Sequence, residues 1–365
     1  MNHIQNELYS LITGEFIEGE TELDLLSRRA FAHILRKKAK RLIRQNNYPP
    51  LTEEELRQVR EYYRGYPSAS PLYHRVCKGK NGKFYPEYIP EELYYGYIEP
   101  YYSGRVASRY VDNKCDYYRM FAGLKQPELV CMRSKGLWMN GNIQPVTKKE
   151  VLKCLQADGE MVLKRAENSE GGAGVHFMAQ EDRLKTFCRL IKTIPCDVVV
   201  QKALEQHEAY SALHPESVNT LRIMSLLEPD GVHILATCLR IGVGTSRMDN
   251  SSSGGFFVGV HDDGRLGGLS IFDSGEKIEK HPDLGYVISE QKIPYVDRAH
   301  AYVKKAHPCI SRFRLVAWDI ALDQEGEPNL IEVNLTLGAI DDVQACTGPL
   351  FGTQTKKILK EVFGT

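Results

Sequence analysis

The sequence predicts an α+β protein built on antiparallel sheets and preceded by a mainly helical N-terminal region. Three observations carry this. An apolar stripe at helical spacing lies near the N-terminus, strand-like runs arranged as hairpins with helices between them follow residue 111, and a polar hairpin, VAWDIALDQEGEPNLIEVN, spans Val316 to Asn334. No strand–helix–strand alternation precedes residue 111, so a Rossmann-like opening is not expected.

From about Glu22 to Asn46 apolar residues recur at Leu25, Leu26, Phe31, Ile34, Leu35 and Leu42. The opposite face is basic, with Arg28, Arg29, Arg36, Lys37, Lys38, Lys40, Arg41 and Arg44. Pro49-Pro50 ends this helix, and Thr52 with Glu55 three residues on marks the start of the next. From about Tyr62 to Tyr118 the tyrosine-rich chain, broken by Pro67, Pro71, Pro86, Pro90 and Pro100, predicts short elements and ordered loops. Beyond it, strands are expected at 159–164, 197–201, 220–227, 233–241, 315–322 and 329–333, and helices at 148–155, 183–191, 296–305 and 353–363. The chain divides into 1–110, 111–205 and 206–365.

Forty-seven basic and 47 acidic residues leave no net charge, so the total does not suggest a general polyanion-coating role. Nine scattered cysteines with no CxxC pair fit a reduced chain better than a disulfide scaffold or a zinc site. The N-terminus lacks a basic-then-apolar signal pattern and no run of about 18 apolar residues occurs, so a soluble cytoplasmic protein is expected.

Within the hairpin, alternation puts Glu332 and Asn334 on one face and Ile331 and Val333 on the other. A turn at Glu325-Gly326 sets Asp319 opposite Glu332. Like charges across a ladder repel unless a cation lies between them, which points to a hard cation on oxygen ligands. Neutralising Asp319 or Glu332 is then expected to relieve repulsion and leave the fold intact.

Upstream, Lys164 ends a strand and runs into Ser169-Glu170-Gly171-Gly172-Ala173-Gly174, whose N–H groups can wrap phosphate oxygens. The loop matches neither GxxxxGK[ST] nor GxGxxG, and alone it reads as an ordinary turn. Lys114, just after Asp112, alone reads as a surface lysine. Gln201-Lys202-Ala203-Leu204 offers backbone donors and acceptors to a purine edge, with Glu208 near for ribose hydroxyls. Arg222 and Arg240 lie in neighbouring strands and, if buried, require an anion or a carboxylate. Asp249-Asn250 followed by Ser251 to Gly255 reads as a mobile polar loop. His207, His261 and Asp262-Asp263 read as ordinary loop and turn residues, and Cys115 and Cys346 as buried thiols.

Taken together, these pieces resemble the ATP-grasp superfamily. The stretches SVNTLRI, LRIGVG, MDNSSSGG and WDIALDQEGEPNLIEVN resemble, more narrowly, its sugar-transfer-associated family of bacterial polysaccharide gene clusters, over roughly Val111 to Leu350. The resemblance implies two α+β subdomains gripping ATP between antiparallel sheets. It places Lys114 and Lys164 on the ATP phosphates, with Glu170, Gly171, Gly172 and Gly174 covering them. It places Gln201, Lys202, Ala203 and Leu204 at the adenine, and Glu208 at the ribose. Asp319, Glu332 and Asn334 are implied to bind Mg2+, two ions in all. Arg240 is implied to grip an acyl phosphate, Arg222 a phosphate or acceptor carboxylate, and Asn250 to join this catalytic set. The implied activity is an ADP-forming carboxylate–amine ligase acting on a sugar acid or amino acid in surface polysaccharide biosynthesis. Its alternatives are an ATP-grasp kinase acting on a hydroxyl and a non-catalytic ATP-binding module. The partners implied are a small or sugar-linked carboxylate and an amine, without nucleic acid. The basic face at 28–44 is open to a membrane surface, an acidic polysaccharide or water alone.

Overall fold

The computed structural model describes residues 22–66, 69–104, 111, 113–167, 172, 174–336 and 338–364. Asp112, Ser169, Glu170, Gly171 and Ala173 lie outside the described residues, as do the first 21 residues and the side chains of Leu25 and Leu26.

The basic helix runs from Glu22 to Gln45. The next, Glu53–Tyr62, opens with the expected capping box: Thr52 Oγ1 accepts from the Glu55 amide at 3.2 Å and Glu55 returns a carboxylate to the Thr52 amide at 2.8 Å. The tyrosine-rich stretch holds a helix at Leu72–Asn81 and a helical run from Glu91 to Ser103, whose centre, Tyr94–Ile98, is π-helical.

Two antiparallel sheets follow. The smaller has the order β2-β1-β5-β3-β4, from β1 (Leu129–Ser134), β2 (Leu137–Asn140), β3 (Met161–Arg165), β4 (Val175–Met178) and β5 (Val198–Lys202). The larger has the order β10-β9-β8-β7-β6-β11-β12. Its strands are β6 (Leu221–Glu228), β7 (Gly231–Ile241), β8 (Phe256–Val260), β9 (Leu266–Phe272), β10 (Lys277–Ile278), β11 (Leu315–Leu322) and β12 (Pro328–Asn334). The expected strands are present within two residues at either end. β1, β2, β8, β9 and β10 are not among the expected strands: β2 and β10 are short, and glycines break the two-residue period in β8 and β9. Gly259 interrupts β8 for a packing reason: a Cβ there would lie 2.7 Å from the Cys346 carbonyl oxygen.

The N-terminal helices have no core of their own. Phe31, Leu35, Leu42, Tyr73 and Leu93 pack with Met224, Cys238, Phe257, Leu315 and Ala317 on one face of the larger sheet, together with the helices Ile340–Thr347 and Thr355–Phe363. The opposite face buries Ile223, Trp318 and Ile320 against the helix Val296–Ala306. The smaller sheet packs Leu163, Val198 and Val200 against Val151 and Phe187 from the helices Lys148–Cys154 and Arg183–Thr193.

The basic helix does not present all its cations outward. Lys38 donates to Glu91 and to Asp341, each at 3.0 Å, and Arg36 donates to Glu92 at 3.4 Å. Lys80, fully buried, donates to Asp342 at 2.6 Å. Burial, with Asp341 beside it, raises the Asp342 carboxyl above the usual range. Lys80→Met is expected to lower unfolding free energy by about 3 to 5 kcal/mol, since it strands buried carboxylates, and Lys80→Met/Asp342→Leu to recover part of it. Urea unfolding checks both.

Candidate active site

The predicted register at the polar hairpin is present, with Asp319 directly opposite Glu332. One residue further the ladder slips, pairing Ile320 with Leu330. This bulge corrects the expected faces. Leu330 and Val333 both enter the core below the sheet, whereas Ile331 is half-buried outside it.

On its other side Asp319 is the register partner of Arg222 on β6. Arg222 Nε and Nη2 reach the Asp319 oxygens at 2.6 and 3.2 Å, and Arg240 Nη1 adds a bond at 3.1 Å. Asp319 has no solvent exposure. Burial alone would raise its carboxyl, but the two guanidiniums outweigh that and hold it below the usual range. Lys114, N-terminal in the helix Lys114–Met120, donates to Glu332 Oε1 at 2.7 Å. The like charges of the hairpin are therefore compensated by cations of the chain itself. Two expectations change with this. Arg222, only 6% exposed, is paired with Asp319 and the Gly338 carbonyl (3.2 Å), so the carboxylate that its burial requires is supplied by the chain itself. Neutralising Asp319 would also not leave the fold undisturbed.

The Asp249-Asn250 segment is not a mobile loop. Asp249 is 5% exposed and accepts from Arg240 Nη2 at 2.7 Å, from the Thr220 amide at 2.9 Å and from Thr220 Oγ1 at 2.5 Å. Arg240 thus bridges Asp249 and Asp319. From the smaller sheet, Gly172 (φ 76°) packs directly on this segment: a Cβ there would lie 2.6 Å from Met248 Cε and 3.3 Å from Asn250 Nδ2. Gly174, also at positive φ, lies against Arg165. Arg247 completes the seam, forked on Glu160 at 2.7 and 2.6 Å and stacked 3.6 Å from the centroid of Phe177. Arg247, Asp249 and Thr220 escaped the sequence reading, although Asp249 adjoins Asn250 in the MDNSSSGG stretch.

Lys164 stands on β3 as a half-buried ammonium with no hydrogen-bond partner among the described residues. Burial, with the Lys114 charge nearby, lowers it to about 8 against the opposing pull of Glu332. Gln201 at the end of β5 donates to the Tyr118 hydroxyl at 2.5 Å, and among the described residues neither its buried Oε1 nor the buried Oδ1 of Asn250 has a donor. The amides of Lys202 and Ala203 are not free for a purine edge, because they donate to the Glu128 and Glu160 carbonyls at 2.9 and 2.8 Å. Leu204 is half-buried beyond them, and Glu208 is exposed at the start of the short helix Glu208–Ser211.

The donor set fits a hard divalent cation. Glu332 Oε1 is held by Lys114, and Oε2 makes no bond within the described residues. Three of the four donors to Asp319 meet on Oδ2, leaving Oδ1 an acceptor position. Asn334 uses its amide nitrogen toward Asp319 at 3.4 Å, which leaves its oxygen for another partner. Asp319, Glu332 and Asn334 would hold Mg2+ through oxygens alone. The cluster of Glu228, Asp230 and His233 at the β6–β7 turn is not part of this site, and Lys357 holds its Glu228 at 2.7 Å.

Residues 93–348 match the family described as sugar-transfer associated ATP-grasp. No curated protein matches the sequence. Among solved structures the chain is similar to D-alanine–D-alanine ligase from Bacillus anthracis, with 13% identity over 71% of this chain and 69% of that one and a TM-score of 0.41. It is similar to L-amino acid ligase from Bacillus licheniformis, with 14% identity over 69% of this chain and 47% of that one and a TM-score of 0.40. It is also similar to an ADP complex of N5-carboxyaminoimidazole ribonucleotide synthetase, purK, with 14% identity over 62% of this chain and 45% of that one and a TM-score of 0.38. The matched region spans less than half of the last two proteins. The family match covers well over half of the sequence, and the chain belongs to the sugar-transfer associated ATP-grasp family.

Proposed function

We propose that the protein is an ADP-forming ligase that joins a carboxylate to an amine through an acyl phosphate, with a sugar acid or amino acid of surface polysaccharide synthesis as acceptor. The observation that carries this reading is Lys164, a half-buried ammonium with no hydrogen-bond or ion-pair partner among the described residues, beside the Lys114–Glu332 pair. Such a group is held more favourably as an ammonium once an anion lies beside it. ATP supplies that anion and the phosphoryl group, and Mg2+ on Asp319, Glu332 and Asn334 neutralises its charge. Lys114 and Lys164 hold the phosphate oxygens. Gly172 lets the loop backbone approach them, and the partnerless oxygen of Gln201 is placed to accept from an exocyclic amine. Arg240, fixed by Asp249 and Asp319, keeps two of its five N–H groups for the phosphoryl oxygens as they pass to the acceptor carboxylate. The amine then displaces phosphate. No side-chain nucleophile is required. No described helix is long and apolar enough to cross a membrane, and we place the reaction in the cytoplasm.

The test is ADP release from ATP and magnesium in a screen of carboxylates against amines, with hydroxylamine added. Carboxylate-dependent ADP release with a trapped hydroxamate is the expected result. A stable phosphorylated hydroxyl overturns the ligase reading in favour of a kinase, and ATP binding without turnover on any acceptor favours a non-catalytic module.

The lowered Lys164 predicts a pH signature. Near pH 8 about half of the free protein lacks this proton; bound phosphate restores the ammonium, so ATP binding takes up roughly 0.5 proton there and almost none near pH 6. Calorimetric titration in buffers of different ionisation enthalpy measures the uptake, and Lys164→Met should remove it.

A further inference from the structure

The cations of the Glu22–Gln45 helix fall into two sets with different fates. Arg36 and Lys38 turn inward to Glu92, Glu91 and Asp341, and Arg28 lies 5.0 Å from the centroid of the Tyr97 ring. Arg29, Lys37, Lys40, Arg41 and Arg44 are all exposed, and none takes part in an ion pair among the described residues. At 100° per residue these five, with exposed His33 among them, fall within an arc of about 120°, extending about 22 Å along the axis. Phe31, Leu35, Ala39, Leu42 and Ile43 occupy the opposite arc and are buried. No Asp or Glu occurs between Arg28 and Gln45; the two carboxylates of the helix, Glu22 and Asp24, stand in its first turn. In a chain of zero net charge this is a local concentration of unpaired positive charge.

We infer that this stripe is a docking surface for an anionic lipid bilayer. The shape favours a plane over other polyanions. The cations lie along the exposed arc of one helix, and among the described residues no Phe, Tyr or Trp is interleaved on that arc to stack on bases. A plane touches all five at once. No large apolar side chain shares the arc, so attachment is electrostatic, reversible and salt-sensitive, and the protein adsorbs without inserting. Each cation within reach of the surface contributes about fivefold in partitioning. The surface acts independently of the nucleotide site and would hold the enzyme where lipid-linked anionic substrates are found.

The test is co-sedimentation of the full chain with vesicles of phosphatidylcholine containing phosphatidylglycerol, and with phosphatidylcholine alone. Binding to the anionic vesicles only, falling as salt is raised, is the expected result. Lys37→Gln/Lys40→Gln/Arg44→Gln should weaken it about a hundredfold with an unchanged thermal melting curve. Lys148→Gln/Lys149→Gln/Lys185→Gln, equally exposed and elsewhere, should leave it intact. No binding, equal binding to neutral vesicles, or full binding by the helix variant overturns the inference. Retention on heparin or DNA without vesicle binding overturns it in favour of a soluble polyanion.

Discussion

Asp319→Asn is expected to lower the unfolding free energy by about 3 to 5 kcal/mol and to abolish ADP formation. Asp319 has no exposure and is the shared counter-ion of Arg222 and Arg240. Asparagine keeps the shape and part of the hydrogen bonding but removes the charge, leaving buried Arg222 without its carboxylate and Arg240 with Asp249 alone. Repulsion from Glu332, the reason to expect a harmless substitution from sequence, is the smaller effect because Lys114 already compensates that carboxylate. The stability term has a pH sign: a carboxyl held below its ordinary value contributes fully above the usual carboxylate range, and its contribution disappears as pH falls through the lowered value. Urea unfolding at neutral pH checks the magnitude. Wild-type stability in Asp319→Asn would mean that the two arginine pairs do not form in solution.

Glu332→Gln should separate chemistry from folding. Its side chain is 28% exposed, and glutamine still accepts from Lys114, so the loss of stability should be smaller than that of Asp319→Asn. ADP formation should nevertheless fall by about 10² to 10³-fold, because an oxygen ligand and a negative charge for magnesium are lost together. Steady-state ADP release beside a thermal melt reads both. Retained turnover in this variant would remove Glu332 from the metal site.

The difference between these two carboxylates was not legible in the sequence, although their pairing was. Alternation and a Gly-containing turn are local, so they specified the Asp319–Glu332 register, just as Thr52 and Glu55 specified a helix start. The arginines that neutralise Asp319 sit 97 and 79 residues away, and no periodicity encodes such partners. The bulge that turns Ile331 off the Val333 face is invisible for a related reason: an inserted residue leaves the composition of the strand unchanged. Asp249 looked like a loop residue because polar, serine-rich segments usually are; its burial follows from Thr220 and Arg240, which the chain brings back to it from the two adjacent strands.

The buried ion cluster behind the hairpin also has a consequence in time. Lys38 meets Asp341 across 303 residues, and Lys80 meets Asp342 across 262. At about 5 to 20 residues per second, a ribosome needs roughly 13 to 50 s after making Lys80 to deliver its counter-ion. During that interval the first helices carry buried-type charges with no place to be buried, beside apolar faces whose sheet is still unmade. The helices that carry Lys38 and Lys80 are therefore completed by a segment made 262 to 303 residues later, and a nascent chain interrupted before Asp341 lacks the counter-ions that bury them.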